Sequence, residues 1–523
     1  MSVTGFIKKG SYFDSVSIML IAKRISEIDG VLDSAVVMGT KENKSLLTSS
    51  GLMTPELQNA DEMDLIVSFK TKLDTATGDI LKKIDDVFRS GRDVKDDNQF
   101  NPSSIEAALN ILPDASLAMI SVAGRYAGDV AMSSLQHGLN VFLFSDNVPI
   151  EKEIELKKFA KEKNLFVMGP DCGTAIINGV PLAFANVVNR GNIGVVAASG
   201  TGLQEVTCLI SNAGCGISQA IGTGGRDVKK EVGGMMFIEG IKALANDSAT
   251  EVILLVSKPP ADEVIANIKE TAKPLRKPVI GVFLGSSPKL LDGTNIQQAA
   301  TLEEAALVAV AMSRHESAEL VGAKLKDRDS EIRRIAQREA AKLAKGQKHL
   351  RGLFSGGTFC DEALLLSHDV LSDVYSNTPF GKMKKLKDSW TSERHTIVDL
   401  GDDEFTVGKP HPMIDYSTRC KRILAEAGDP QTAVILLDIV LGFGSNMDPL
   451  AEIIPRIEQA RNTASKAGRH LPIVCSVTGT DKDPQNRTVV AATLEKAGAF
   501  VLESNAAASK LAIFIVSYKE KLQ

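Results

Sequence analysis

What most constrains this chain is a rhythm. Between residues 105 and 315, short apolar runs rich in Val and Ile occur at 117–122, 141–144, 165–168, 193–197, 252–256 and 279–284, and helical patterns separate most of them. Strands that alternate with helices form βαβ units, and these build parallel sheets. The runs are apolar throughout rather than alternating, as when helices cover both faces of a sheet. The rhythm resumes at 352–354, 396–400, 433–439, 472–477 and 499–502. Residues 1–90 mix a helical pattern (15–28) with short strands (35–38 and 65–69), and the polar, turn-rich stretch 90–104 reads as a linker or long loop. Between 316 and 350, 15 of 35 residues are charged, which reads as an exposed helical connector. The expected fold class is α/β, with three Rossmann- or flavodoxin-like parallel-sheet domains over 1–147, 148–315 and 351–523 and the charged linker 316–350 between the last two.

Charge excludes several functions. Sixty basic residues against 65 acidic ones supply no electrostatic footprint for nucleic acid, and one Trp with five Tyr supplies no base-stacking platform. No apolar run approaches the ~20 residues that span a bilayer. The first residues, Met-Ser-Val-Thr-Gly-Phe-Ile-Lys-Lys, lack an apolar signal region, and the six Cys form no CxxC pair. A cytoplasmic protein without nucleic-acid or membrane partners is expected. The seven His are isolated and without metal-ligand spacing, so no metal is expected.

The sharpest local motif is GNIGVVAASGTGLQE, residues 191–205. A strand runs into Ser199-Gly200-Thr201-Gly202, and Thr201 with Gln204 has capping-box spacing. Glycines let backbone N–H groups approach an anion, and a helix N-terminus favours negative charge. Ser199 and Thr201 add hydroxyl donors, so this is a candidate phosphate cradle, although an ordinary βα turn has the same composition. A second unit, LFSGGTFCDEALLL (353–366), repeats the idea at Ser355-Gly356-Gly357-Thr358. Two such helix ends in two domains could face one anion.

Other candidates are weaker. The turn containing Gly224, Gly225 and Arg226 either holds a phosphate, edges a pocket or is a plain turn. Asp171 and Cys172 follow a strand in GPDCGT, and Cys172, with no His nearby in sequence, reads as inert and buried. Lys258 ends the strand 252–256, where an α/β sheet meets its ligands, or is a solvated loop lysine. His411 lies in the Pro-braced loop GKPHPMID. Just upstream, Asp399, Asp402, Asp403 and Glu404 either steer a substrate or cation or form an exposed acidic turn.

These residues carry a resemblance. From about 115 to 310 the chain resembles the α subunit of succinyl-CoA synthetase. ASLAMISVAGRYAGDVAMSSLQHGLNVFLFSDNVP is similar to the end of its CoA-binding domain, GNIGVVAASGTG to its phosphate-cradling helix, and IGTGGRD to its Gly-Gly-Asp loop. VDLGDDEF, VILLDIVLGFG and VCSVTGTDKDP resemble the C-terminal domain of the β subunit, which supplies that family's second cradling helix. Over nearly its full length, through FIKKGSYFDSVS, VMGPDCGTAI, PLAFANVV, SKPPADE and VGKPHPMID, the chain is identified as a member of the FdrA family of fused synthetase-like proteins.

The departures refine what the resemblance implies. The synthetase phosphorylates a His in a Gly-His-Ala-Gly loop, but residues 281–306 here contain no His. Where the synthetase places an acidic partner for that His, this chain has Lys258-Pro259. No ATP-grasp domain and no Gly-x-Gly-x-x-Gly for a CoA diphosphate are recognisable. The resemblance therefore implies a subunit of a carbamoyl- or acyl-phosphate transferase of the oxamate carbamoyltransferase type, which interconverts oxalurate and phosphate with oxamate and carbamoyl phosphate. Two alternatives stay open: an acyl-CoA synthetase with an ATP-grasp partner in trans, or a non-catalytic CoA- or nucleotide-sensing scaffold. The implied ligand is a small acyl or carbamoyl phosphate, with CoA or a nucleotide in the N-terminal domain as the cofactor to test, and the implied partners are other protein subunits and further copies of the chain.

Overall fold

A computed structural model describes residues 2–522 except 12, 14, 63, 73–76, 91–101, 103 and 407–408. The linker expected at 90–104 lies largely outside the described residues. Two seven-stranded sheets dominate. In the first, five parallel strands run in the order Ile296–Gln298, Val279–Phe283, Val252–Ser257, Arg190–Ala197 and Ile217–Gly222. In the second, Phe500–Leu502, Ile473–Thr478, Thr432–Val440, His349–Phe354 and His395–Asp399 repeat that order, and Val374–Ser376 and Lys384–Lys385 extend the edge. The strand that leads into the first glycine motif thus sits between the next two strands of its domain, and the strand that leads into the second sits between His395–Asp399 and Thr432–Val440. This is flavodoxin-like winding, which opens a crevice at the strand C-termini where the winding reverses.

Sequence reading missed the antiparallel hairpin Thr174–Ile177/Val180–Ala183 at the edge of the first sheet. Its turn is Asn178-Gly179, with φ of 51° and 82°. Asn-Gly between short apolar runs is the signal that would have found it.

The N-terminal 147 residues depart from the single parallel sheet expected there. Strands Ser2–Lys8, Leu65–Thr71 and Val31–Met38 form an antiparallel sheet with Leu65–Thr71 in the centre. A separate parallel sheet holds Leu117–Ile120, Asn140–Leu143 and Val167–Met168, the last of them beyond the expected boundary. The first strand escaped notice because no residue in it is fully buried, so its apolar pattern is weak. The charged segment also differs from an exposed connector. Its helix, Ala318–Lys342, buries Val321, Ile332, Ala336 and Ala340, and it packs along the C-terminal helix Asn505–Leu522.

The two large domains share one apolar core, built where the helices 200–212, 302–313, 357–367 and 505–522 meet. Two buried glutamates at equivalent positions in the glycine-motif helices tie it together. Glu205 accepts hydrogen bonds from Thr478 Oγ1 and from the Asn505 backbone N–H at 2.9 Å. Glu362 accepts from the Leu302 backbone N–H at 2.9 Å and from Asn505 Nδ2 at 2.8 Å. Each caps the last helix of the opposite domain by accepting a backbone N–H that the helix leaves unpaired at its first turn.

Burial, the largest influence on both groups, pushes each carboxyl up to about 7. A carboxyl whose folded pKa is raised binds its proton more tightly in the native state, so its contribution to stability is full below about 4.5 and is lost as pH rises towards about 7. The melting temperature is therefore expected to fall between about pH 5 and 7. Glu205→Gln and Glu362→Gln should flatten that fall, as thermal unfolding across this range will show.

Candidate functional site

The two glycine motifs, 159 residues apart in sequence, meet. Ser199 Oγ lies 2.7 Å from Thr358 Oγ1. Ser199 caps the helix Gly200–Asn212 by accepting the Gly202 N–H at 3.0 Å, and its own extended backbone turns the chain out of the strand. Packing behind this contact is close: a Cβ built at Gly356 would lie 2.9 Å from Thr201 Cγ2. The helix ends expected to share one anion thus touch through their hydroxyls.

Beside this contact is a cavity of about 20 Å³, bounded by Asp171, Cys172, Gly173, Thr174, Ser199, Gly200, Gly224 and Gly225 among others. That volume holds about one water. The space around Gly200 is open, since the nearest atom to a Cβ there would be Thr174 Oγ1 at 3.7 Å. Gly224 is constrained by contrast. Its φ is +80°, and a Cβ would come within 2.3 Å of the Pro170 carbonyl oxygen, so only glycine fits.

The second motif is built differently from the first. Ser355 N–H and Oγ–H each donate to the Asp438 carboxylate at 2.8 Å, and the Gly356 N–H donates to it at 2.9 Å. Arg419 Nη1 binds the same carboxylate at 3.0 Å, with both side chains fully buried. Ser355 and Gly356 therefore face an internal carboxylate rather than the cavity, and the groups left at this helix end are Gly357 and Thr358. Sequence reading missed Asp438, although a lone carboxylate inside the apolar run VILLDIV was a visible anomaly.

Arg226 also points elsewhere. Its Nε pairs with Glu153 at 2.9 Å and its Nη2 donates to the Val148 carbonyl. Glu153 and Asp227 are in turn bridged by the fully buried Lys157 at 2.7 and 2.8 Å. This cluster fixes the turn that carries Gly224 and Gly225. Cys172 is buried, and burial pushes its thiol up to about 12, which suits an inert group.

Lys258 crosses between the domains to Asp361 on the 357–367 helix at 2.5 Å, with its side chain 54% exposed. Burial acts to lower its pKa, Asp361 more than offsets this, and the net direction is upward, so it stays a cation. Burial, with Asp146 next, pushes Asp171 up to about 6. The His411 ring lies 6.2 Å from that of Phe184 of the neighbouring domain, tilted 48° to it, and its Nδ1 accepts the Met413 N–H at 3.2 Å. Burial, then Arg419, lowers its pKa to about 4 and leaves the ring neutral. Asp399, at the end of strand 395–399, lies against the start of the second helix, since a Cβ at Gly357 would be 2.7 Å from its Oδ2. Among the described residues no three His, Cys, Asp or Glu side chains group as metal ligands, and no helix is long and apolar enough to cross a membrane.

Known proteins and family models resemble parts of this chain. A CoA-ligase family model matches residues 353–515, and a CoA binding domain model matches 188–285, which lies in the domain that carries Ser199. Residues 1–102 match the AllF heavy metal-associated domain, although that segment has neither Cys nor His. Over 224 residues, 42% of this chain and 73% of the relative, the chain is 26% identical to the α subunit of ADP-forming succinate–CoA ligase from Methanothermobacter thermautotrophicus. The apo dinucleotide forming acetyl-coenzyme A synthetase 1 of Candidatus Korarchaeum cryptofilum aligns over 77% of this chain and 83% of its own, at 15% identity and a TM-score of 0.30. YahF of Escherichia coli K12, an uncharacterised protein, is 43% identical over 507 residues, 97% of both chains. On that extent of identity, together with the CoA-ligase and CoA-binding matches, this chain belongs to the YahF family, FdrA-like proteins of the acyl-CoA synthetase type.

Proposed function

We propose that this protein is the acyl-phosphate-handling subunit of an acyl-CoA synthetase of the NDP-forming type, with the ATP-grasp component supplied in trans. The observation that carries this reading is the Ser199–Thr358 contact at 2.7 Å, which brings two helix N-termini to one point. The cavity beside it admits about a water, so a phosphoryl group enters only when the two hydroxyls part. Each hydroxyl then donates to a phosphoryl oxygen, as do the amides of Gly200, Thr201, Gly357 and Thr358, while Lys258 balances charge that develops on the leaving phosphate. Acyl transfer from a phosphate needs such orientation and anion clamping rather than a nucleophilic side chain.

A second reading, carbamoyl transfer of the oxamate type, is favoured by one observation. Residues 281–306 hold no His, and Lys258, paired with Asp361, stands where the synthetase places an acidic partner for its phosphohistidine. Titrating the protein with CoA, acetyl phosphate and carbamoyl phosphate, then assaying transfer from each phosphate to CoA with an ATP-grasp partner present, separates the two. CoA binding with acetyl transfer supports the synthetase. Carbamoyl phosphate binding without CoA binding supports the transferase. Absence of both phosphates from the site would sink the shared basis of the two readings.

Lys258→Ala provides a check within either reading. Loss of one donor to a developing charge typically costs about 100- to 1,000-fold in rate. A half-exposed ion pair contributes only about 0.2–1 kcal/mol to stability. Turnover should collapse while the melting temperature barely moves, and near-normal turnover would remove Lys258 from the site.

A further inference from the structure

We propose that Asp399 is the proton carrier of the helix-end site: it takes the proton of the acceptor's S–H and passes it to the departing phosphate. The inference rests on the acyl-phosphate reading and deepens it. Asp399 ends the strand 395–399 at the crevice, and its Oδ1 accepts the Gly401 N–H at 2.8 Å. Among the described residues none donates a hydrogen bond to its Oδ2, which lies against Gly357 at the first turn of the second helix. The point where a Gly401 Cβ would sit is 3.1 Å from Asp399 Oδ1 and 2.8 Å from His411 Nε2, so the ring and the carboxyl flank one small space.

The surroundings tune this carboxyl for the task. Burial acts first, and the neighbouring Asp361 and Asp402 add to it against the Gly401 N–H and Lys258, so that its pKa rises to about 7. His411, which faces it from the 409–415 loop, is neutral and adds no charge, and the nearby Cys360 has a thiol pushed up by burial. A base whose pKa lies near the working pH combines a large deprotonated fraction with useful basicity.

The step balances. The acceptor's S–H bond breaks and its proton moves to Asp399 Oδ2. The sulfur forms a bond to the acyl carbon, and the acyl C–O bond breaks with its electron pair leaving on the phosphate oxygen. The proton then passes from Asp399 to that oxygen, which restores the carboxylate. An acceptor N–H would be treated in the same way.

Asp399→Asn keeps the acceptor for the Gly401 N–H and removes only the titration. Two measurements on the full chain test it. The first is binding of sulfate, which stays dianionic from pH 6 to 8 and probes the anion site without turnover. Wild type should bind sulfate about fivefold more weakly at pH 8 than at pH 6, the effect of roughly one pKa unit of coupling at a group that titrates near 7, while Asp399→Asn loses that part of the dependence and keeps only what Asp171, at about 6, contributes. The second is the pH–rate profile of acyl transfer. Asp399→Asn should lose about 100- to 10,000-fold in kcat, with little change in KM for the acyl phosphate, and Asp399→Glu should recover part of it. Sulfate binding with the same pH dependence in both proteins, or unchanged kcat in Asp399→Asn, overturns this inference alone. A wild type that binds sulfate at neither pH overturns the functional reading and the inference together.

Discussion

Gly200→Val is expected to abolish acyl transfer and phosphate binding while leaving the protein folded. The residue opens the 200–212 helix with an ordinary negative φ, and a Cβ there meets nothing closer than Thr174 Oγ1 at 3.7 Å. Glycine is therefore unnecessary for the backbone, and replacing it should change stability by no more than about 1 kcal/mol. What the larger side chain occupies is the cavity at the helix end, where the phosphoryl group must approach the Gly200 and Thr201 amides. Loss of that approach should cost more than the roughly 1,000-fold upper range for a single donor, because both amides are masked at once. Gly200→Ala should be milder. Gly224→Val is the contrasting control: at φ +80° and with the Pro170 oxygen 2.3 Å from its Cβ position, it should lower the melting temperature as well as activity. Turnover, inorganic phosphate binding and melting temperature measured on all three variants decide the matter. Normal turnover in Gly200→Val would remove the first helix end from the site.

Asp438→Ala is expected to produce the largest loss of stability of any single substitution near the site. Asp438 is fully buried and satisfies the Ser355 N–H, the Ser355 hydroxyl, the Gly356 N–H and Arg419 at once. Truncation leaves a buried guanidinium without its counter-charge and two amides without an acceptor. Removing one partner of a buried ion pair typically costs about 3–5 kcal/mol. Ser355→Ala removes only one hydroxyl bond from the same cluster and should cost about 1 kcal/mol. Denaturant midpoints for the two variants beside wild type test the ordering. If Asp438→Ala were as stable as Ser355→Ala, the carboxylate would not be the anchor of the second helix.

The Asp438 anchor also makes the two glycine motifs unequal. At the first helix, Ser199 caps its own helix and still reaches Thr358. At the second, the protein's own carboxylate already holds the first two groups of the motif. Two similar sequences, Ser-Gly-Thr-Gly and Ser-Gly-Gly-Thr, thus present different numbers of free donors. Nothing in the motifs themselves distinguishes them, because the distinguishing carboxylate arrives from a strand about 80 residues later in the chain.

Much of the architecture is local and was therefore legible in the sequence. Apolar runs between glycine turns marked the strands 190–197, 252–257, 349–354 and 432–440 within a few residues, because a strand buried on both faces must be apolar along its length. The helix starts were legible to within about two residues: the capping-box spacing pointed to Thr201 and the second motif to Thr358, whereas the helices are capped at Ser199 and Gly356. The N-terminal antiparallel sheet was not, since a half-exposed strand such as Ser2–Lys8 leaves only a faint pattern. Tertiary structure alone decided which partners meet: Ser199 with Thr358, Lys258 with Asp361, Asp438 with Ser355, and Arg226 with Glu153 instead of a ligand. A side chain's periodicity is set by its own backbone, but the partner of a buried charge is set by whichever distant strand or helix the packed core brings within about 3 Å, and no spacing along the chain encodes that encounter.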